Sequence, residues 1–369
     1  MSGWHLFAMV WGDAFVERFA RIVAPFLAMP GNVPALARTA PVTCHVYTDE
    51  LSQGSVKAAL APLATYCAID IRRFDVTVAH GLSGPDYKYE IQRRSVQDLA
   101  ERVSGETIVL LDSNFVLADG VLGFLAARRS EGYVGASVSF LRVSSTEFVA
   151  ALDGRLDAGS VIGPRELFDI SRQTIHHIAK SFFVDAAPFT PYPSQVSWPV
   201  GARGFVNRNF LPHPIMIPAT PKVAHYQSTM DYDLLLRVAD DDKIYVCGDS
   251  DEVMVAKYSD DEHHVARAGE FRPTAEDLGL FLLTCTNRRH RLFADRACVF
   301  HPDPHDERYE AVVKQSQIMI DGAYEWINRL ATRSGRLDAR MLMYLKSHFG
   351  PIEDYMSPQL EPAAWRHFT

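Results

Sequence analysis

Thr107-Ile108-Val109-Leu110-Leu111-Asp112-Ser113-Asn114 is a short run rich in β-branched and aliphatic residues that ends in an acidic turn. Its length and composition mark a buried strand, of the kind that helices cover in parallel sheets. The amphipathic stretch 86–103, carrying Lys88, Arg93, Arg94 and Arg102, leads straight into it. A helix, a buried strand and then an acidic turn place Asp112 at a strand's carboxyl end, where open α/β sheets hold their ligands.

The same unit repeats toward the N-terminus. Residues 4–11 read as a buried strand, Gly12 and Asp13 as a turn, and 14–29 as a helix. Residues 42–48 form a second strand, with Asp49 as N-cap of a helix over 55–66, and 67–74 form a third strand. Beyond Asn114 come a helix near 121–129 and a strand near 133–141. This alternation predicts an α/β fold: a doubly wound, mostly parallel sheet with helices on both faces. Asp13, Asp49 and Asp112 all fall at strand ends.

Farther along, 165–183 reads as a helix. The stretch 188–221 holds prolines at 188, 191, 193, 199, 212, 214, 218 and 221. That density predicts ordered loops and short edge strands rather than a continuous helix or a central strand. A strand follows at 243–247, and helices are expected over 275–287, 310–332 and 337–348. The division expected is a ligand-binding α/β domain over 1–265 and a mainly helical C-terminal extension over 266–369.

The 369 residues are 47% hydrophobic, enough to bury a large core, and carry a net charge of −8. A surplus of acid argues against a general nucleic-acid binder, which needs clustered Lys and Arg. Five scattered cysteines with no close pair disfavour a disulfide framework and a cysteine-rich zinc site. No basic, apolar leader opens the sequence, and no apolar run reaches membrane-spanning length, so a cytoplasmic protein is expected. Peripheral membrane association is compatible with that.

The second acidic cluster is Met230-Asp231-Tyr232-Asp233-Leu234-Leu235-Leu236-Arg237, followed by Lys243-Ile244-Tyr245-Val246. Taken alone, Asp231 or Asp233 is an acid favoured at a helix N-terminus, and Asp112-Ser113-Asn114 is a turn that caps the next helix. In this order, however, the two clusters resemble the inverting GT-A glycosyltransferases, in which a DxD-type metal turn precedes an acidic pair with x-D-L-x-x-R and then a strand. Asp112 and Asn114 match the first and third positions of the metal turn. Asp231, Asp233, Leu234 and Arg237 match the later motif. The turn ends in Asn rather than Asp, and Met230 stands where the family often has Glu.

The resemblance implies a glycosyltransferase acting on a nucleotide-sugar donor and a glycan, glycolipid or protein acceptor. Asp112 and Asn114 would hold a divalent metal, Mn2+ or Mg2+, together with the donor diphosphate, and Ser113 sits between them. Asp231 would be the general base, with Asp233 beside it. His264 would be a third metal ligand from beyond the acidic helix. Base and ribose of the donor would lie against Trp11, Gly12, Asp13, Thr48 and Asp49, although Trp11 and Tyr47 serve equally well as core residues. Arg93 or Arg94 can reach a diphosphate from the helix before the metal turn. Arg203 and His213, in an aromatic- and Gly/Pro-containing segment, are candidates for sugar contacts, and Arg237 completes the motif.

Two other functions stay open. A sugar-phosphate nucleotidyltransferase uses a related sheet, but Trp11-Gly12-Asp13-Ala14-Phe15 lacks the Gly-rich, basic loop that class carries after its first strand. A catalytically silent carbohydrate- or nucleotide-binding protein would retain the fold without turnover, and Asn114 speaks for it.

Overall fold

The structure, a computed structural model, describes residues 3–82, 84–202, 204–226, 229–262, 271–304 and 306–334. Its strands, in chain order, begin with β1 (Trp4–Met9), β2 (Val42–Thr48), β3 (Ala68–Arg73) and β4 (Thr107–Leu110). Then come β5 (Phe115–Leu117), β6 (Gly135–Val138), β7 (Leu141–Ser144), β8 (Gln195–Val200) and β9 (Gly204–Asn209). β10 (His213–Pro218), β11 (Ile244–Val246), β12 (Val255–Ser259) and β13 (Ala297–Phe300) complete the set. The chain divides into two units, one of Met1–Thr174 with Pro212–Asp260 and the other of Ile175–Leu211 with Asp261–Thr369.

The first unit is built on a seven-stranded sheet of order β11-β6-β10-β4-β1-β2-β3. β3, β2, β1 and β4 run parallel to their neighbours, as do β6 and β11, while β10 is antiparallel to both β4 and β6. The chain steps outward from β1 to β2 and β3, then returns past β1 to β4 through the helix Gly84–Arg102. Because such crossovers are right-handed, reversing the direction of travel puts the returning helix on the opposite face. The parallel-rich α/β sheet expected from the alternation is therefore present, with its switch point between β1 and β4.

The first strand ends sooner than expected, at Met9, and the helix after it starts at Asp13 and continues through a wider turn at Phe19–Val23 to Leu27. Val16, Phe19, Ile22, Val23 and Phe26 are buried along it, the spacing of one helical face. Gly12 opens this helix at φ 79°, a left-handed conformation that costs glycine nothing.

The proline-rich segment departs from expectation. β10 is a central strand, although it contains Pro214 and Pro218. The register with β6 shifts between Pro214 and Met216, and Pro218 is the last residue of the strand. A bulge and a strand end are the two positions where a missing N–H costs least. The predicted strand 133–141 is two strands, β6 and β7, and β7 joins β12 and β5 in a separate three-stranded sheet of order β5-β12-β7. The predicted helix 165–183 is likewise split into Pro164–Gln173 and His177–Lys180.

In the second unit β8, β9 and β13 form an antiparallel sheet of order β13-β9-β8. Pro199 lies on the edge strand β8, as its missing donor requires. The helices Ala275–Cys285 and Glu307–Ser334 pack together over Val196, Trp198, Phe210, Phe281, Ile320 and Ile327. Residues 175–211 thus belong with the C-terminal part rather than with a continuous 1–265 domain, and β13 interrupts a region expected to be helical. The helix anticipated over 337–348 lies outside the described residues. Among the described residues no helix is long and apolar enough to cross a membrane. None of the five cysteines is in a disulfide, and all but Cys285 are buried.

Candidate active site at the strand ends

Asp112 lies two residues past the end of β4 and is buried. Its Oδ2 accepts a hydrogen bond from Lys257 Nζ at 2.5 Å, and its Oδ1 accepts one from Gln92 Nε2 at 3.1 Å. Burial by itself raises the Asp112 pKa, but the charges of Lys257, Lys88 and His213 and the Lys257 hydrogen bond outweigh it, holding the carboxyl far below its usual range. Asp112 is therefore an ionised, charge-paired carboxylate.

Antiparallel insertion of β10 beside β4 brings its first residue, His213, to the same end of the sheet. His213 is buried. Its Nε2 lies 3.0 Å from the Leu110 carbonyl and its Nδ1 3.0 Å from Asp231 Oδ1, while the Phe115 ring meets it edge-on at 4.6 Å. A carbonyl only accepts, so Nε2 donates to Leu110, and a single proton is shared between Nδ1 and Asp231 Oδ1. The sequence placed His213 among sugar contacts; both ring nitrogens are instead engaged with protein groups.

Asp231 and Asp233 sit in the turn Met230–Leu234 that opens the helix Leu235–Val238. They differ in surroundings. The Asp231 side chain is 40% exposed, whereas that of Asp233 is 7% exposed and accepts from Arg237 Nε and Nη2 at 3.1 and 2.6 Å. Arg237 is accordingly committed to Asp233 rather than open to a substrate.

Arg142 donates to Ser259 Oγ at 2.6 Å, and burial lowers its pKa against the opposing charges of Asp112 and Asp231. Lys257 and Arg142 are register partners on β12 and β7, and Lys257 is the partner of Phe115 on β5. Paired residues of neighbouring strands project from one face, so Phe115, Lys257 and Arg142 form a row. The ammonium lies 5.0 Å from the ring centres of both Phe115 and Phe140, a cation–π arrangement. Neither Lys257 nor Arg142 was singled out from sequence. The signal available was a lone cation inside the buried run Met254-Val255-Ala256-Lys257-Tyr258.

The other expected residues are placed as follows. Asn114 spends its amide on the second sheet: Nδ2 donates to the Tyr258 carbonyl at 2.7 Å, and its buried Oδ1 has no protein hydrogen-bond partner. The Ser113 carbonyl accepts from the Tyr258 hydroxyl at 3.2 Å. Glu90 takes both arginines of the preceding helix, Arg93 Nη2 at 2.5 Å and Arg94 Nε at 2.9 Å. Trp11 stacks edge-on against Phe74 at 5.3 Å, the Gly12 N–H donates to Ser52 Oγ at 3.1 Å, and Asp13 is exposed. Asp49 Oδ1 accepts from the Ser52 N–H at 2.7 Å, so it caps locally. Thr48 is buried, with its hydroxyl lacking a hydrogen-bond partner. Tyr47 is a core residue whose hydroxyl donates to Asp98 at 2.6 Å. Arg203 and His264 lie outside the described residues.

A divalent cation favours several hard oxygen ligands. At this turn both Asp112 oxygens are engaged, one of them by an ammonium, and Asn114 is turned onto Tyr258. Asp112 and Asn114, held in this way, do not fit joint coordination of Mn2+ or Mg2+, since a dication would have to displace Lys257 or repel it at close range.

The search of solved structures finds glycosyltransferases. Mouse xyloside xylosyltransferase 1, in apo form, is 16% identical over 42% of this chain and 59% of that one, with a TM-score of 0.29. The bifunctional glycosyltransferase WbbM, also apo, is 15% identical over 37% of this chain and 23% of that one, at 0.27. The mannosyltransferase PcManGT from Pyrobaculum calidifontis, in complex with GDP-Man and Mn2+, is 9% identical over 99% of this chain and 86% of that one, at 0.30. The chain spans less than two thirds of the length of the first two. No family model matches the sequence, and no curated protein does.

Proposed function

We propose that this chain is a glycosyltransferase that moves a sugar from a nucleotide-sugar donor to a hydroxyl of a glycan, glycolipid or protein. The observation that carries it is Asp231: an accessible carboxylate, held by a buried histidine, at the carboxyl end of β4 and beside basic side chains able to receive a diphosphate. Asp231 is the general base. It takes the acceptor's hydroxyl proton as that oxygen bonds to the anomeric carbon, while the bond from that carbon to the phosphate oxygen breaks and its electron pair leaves with the nucleoside diphosphate. The base is needed only as the new C–O bond forms, which suits a carboxylate. Asp233, ion-paired and buried, holds the turn that presents Asp231.

Gly12, Asp13, Thr48 and Asp49, at the ends of β1 and β2, line the side of the switch point proposed for base and ribose. The Thr48 hydroxyl is the polar group there still to be satisfied. The test is a panel of nucleotide sugars incubated with purified protein and simple sugar acceptors, with released nucleoside diphosphate and product followed by mass spectrometry. Turnover of one donor that Asp231→Asn abolishes supports the proposal. Nucleotide binding with neither transfer nor donor hydrolysis would identify a silent binding protein.

A further inference from the structure

Around Asp112 and Asp231 stand the basic side chains of Lys257, Arg142 and Lys88. Two of the cations, Lys257 and Arg142, are register neighbours on one sheet face, an arrangement of like charges that is unfavourable unless an anion is shared between them. One carboxylate, Asp112, already serves Lys257. Arg142, by contrast, donates to the neutral Ser259 hydroxyl, so a further anion beside the Lys257–Asp112 pair would meet a guanidinium hydrogen-bonded to a neutral oxygen.

We propose that Lys257 and Arg142 form a diphosphate subsite that neutralises the leaving nucleoside diphosphate in place of a divalent cation at the Asp112 turn. The proposal rests on the glycosyltransferase function above and names how its leaving group is stabilised. When the bond between the anomeric carbon and the phosphate oxygen breaks, the departing electron pair remains on that oxygen. An ammonium and a guanidinium fixed nearby stabilise it without transferring a proton. Asp112 then acts on Lys257 rather than on a metal: its carboxylate keeps the buried ammonium charged, and the Gln92 amide holds the carboxylate in place. Phe115 and Phe140 fix the Lys257 head from the side.

The experiment is calorimetric titration of the full chain with a panel of nucleoside diphosphates and with inorganic pyrophosphate, in EDTA and in Mn2+. It uses wild type, Arg142→Gln, Lys257→Gln and the double variant Asp112→Asn/Lys257→Gln, which removes both charges of the buried pair and guards against misfolding. One nucleotide is expected to bind equally well in EDTA and Mn2+, and Arg142→Gln and the double variant should each weaken it about ten- to a hundredfold. Binding seen only with Mn2+, or unchanged in Arg142→Gln and the double variant, would overturn the subsite and leave the glycosyltransferase proposal standing. Pyrophosphate bound through Arg142 and Lys257 with no nucleotide recognised would keep the anion subsite and remove the sugar-nucleotide assignment. No binding of any probe sinks both.

Discussion

His213 Nδ1 lies 3.0 Å from Asp231 Oδ1, and the other nitrogen of the same ring is tied to the Leu110 carbonyl. The ring is thereby fixed between a strand backbone and the proposed base. His213→Gln should lower kcat about tenfold or more and alter the pH profile of kcat, with the affinity for the nucleoside diphosphate unchanged. A purely structural role would move thermal stability and both kinetic constants together, with no change in the profile.

The two acids of the second cluster should separate. Asp231→Asn is expected to keep the wild-type melting temperature and lose about 10²- to 10⁴-fold in kcat, because an accessible carboxylate adds little to folding but accepts the proton. Asp233→Asn removes the partner of Arg237 from a buried position and should instead lower the melting temperature, by roughly 1–3 kcal/mol of stability. Melting curves with single-turnover rates on both variants check this, and a stability loss confined to Asp231→Asn would reverse the assignment.

A second histidine arrangement predicts pH dependence of stability. Glu106, His5, His45 and Asp70 form a chain of hydrogen bonds across β1 and β2, each 2.9 Å long. His45 Nδ1–H faces Asp70, which leaves its Nε2 to accept from His5. Burial, opposed by the Asp70 hydrogen bond and assisted by His5, lowers the His45 pKa from 6.5 to about 4. The folded protein thus favours neutral His45, so this stability is complete above about pH 6.5 and is lost as pH falls toward 4, by roughly 3 kcal/mol. Asp70, lowered to about 2, adds a further loss below its ordinary 3.8. Urea midpoints between pH 7.5 and 4 should fall for wild type and fall less steeply for His45→Asn.

Gly31 is a packing requirement. A Cβ there would lie 2.6 Å from the Gly120 Cα and closer still to its nitrogen, and the Gly31 N–H donates to Asp119 Oδ1 at 2.6 Å. Backbone cannot yield as a side chain does, so Gly31→Ala should cost about 1–3 kcal/mol by thermal or urea unfolding. Gly54→Ala, where the added carbon meets nothing within 4 Å, is the matched control.

Much of the first unit was legible because its strands are short apolar runs bounded by turn residues, a local pattern. β1 to β4 lie within about two residues of the ranges read from sequence, and the helix Gly84–Arg102 lies where its amphipathic spacing puts it. The misreadings share a cause. β10 fell in a stretch read as ordered loops and short edge strands because prolines argue against central strands, and only its partners explain how a bulge at Pro214 accommodates one. β5, β7 and β12 are three to five residues long, too short for periodicity to declare, and exist through pairing with one another. At the site, Asp112 and Asp231 were visible as acids at element ends, but the partner of each was not.

The sequence by itself determined the alternation of strand and helix and the position of Asp112 at a strand end, since both follow from side-chain patterns within a few neighbouring residues. Tertiary structure alone decided what those acids pair with. Lys257 is 145 positions from Asp112 and reaches it because β12 pairs with β5 and β7, and His213 reaches Asp231 and Leu110 because β10 inserts antiparallel beside β4. Such pairings are set by burial and hydrogen bonding between segments far apart in the chain, and no local pattern records which distant segment will be the partner.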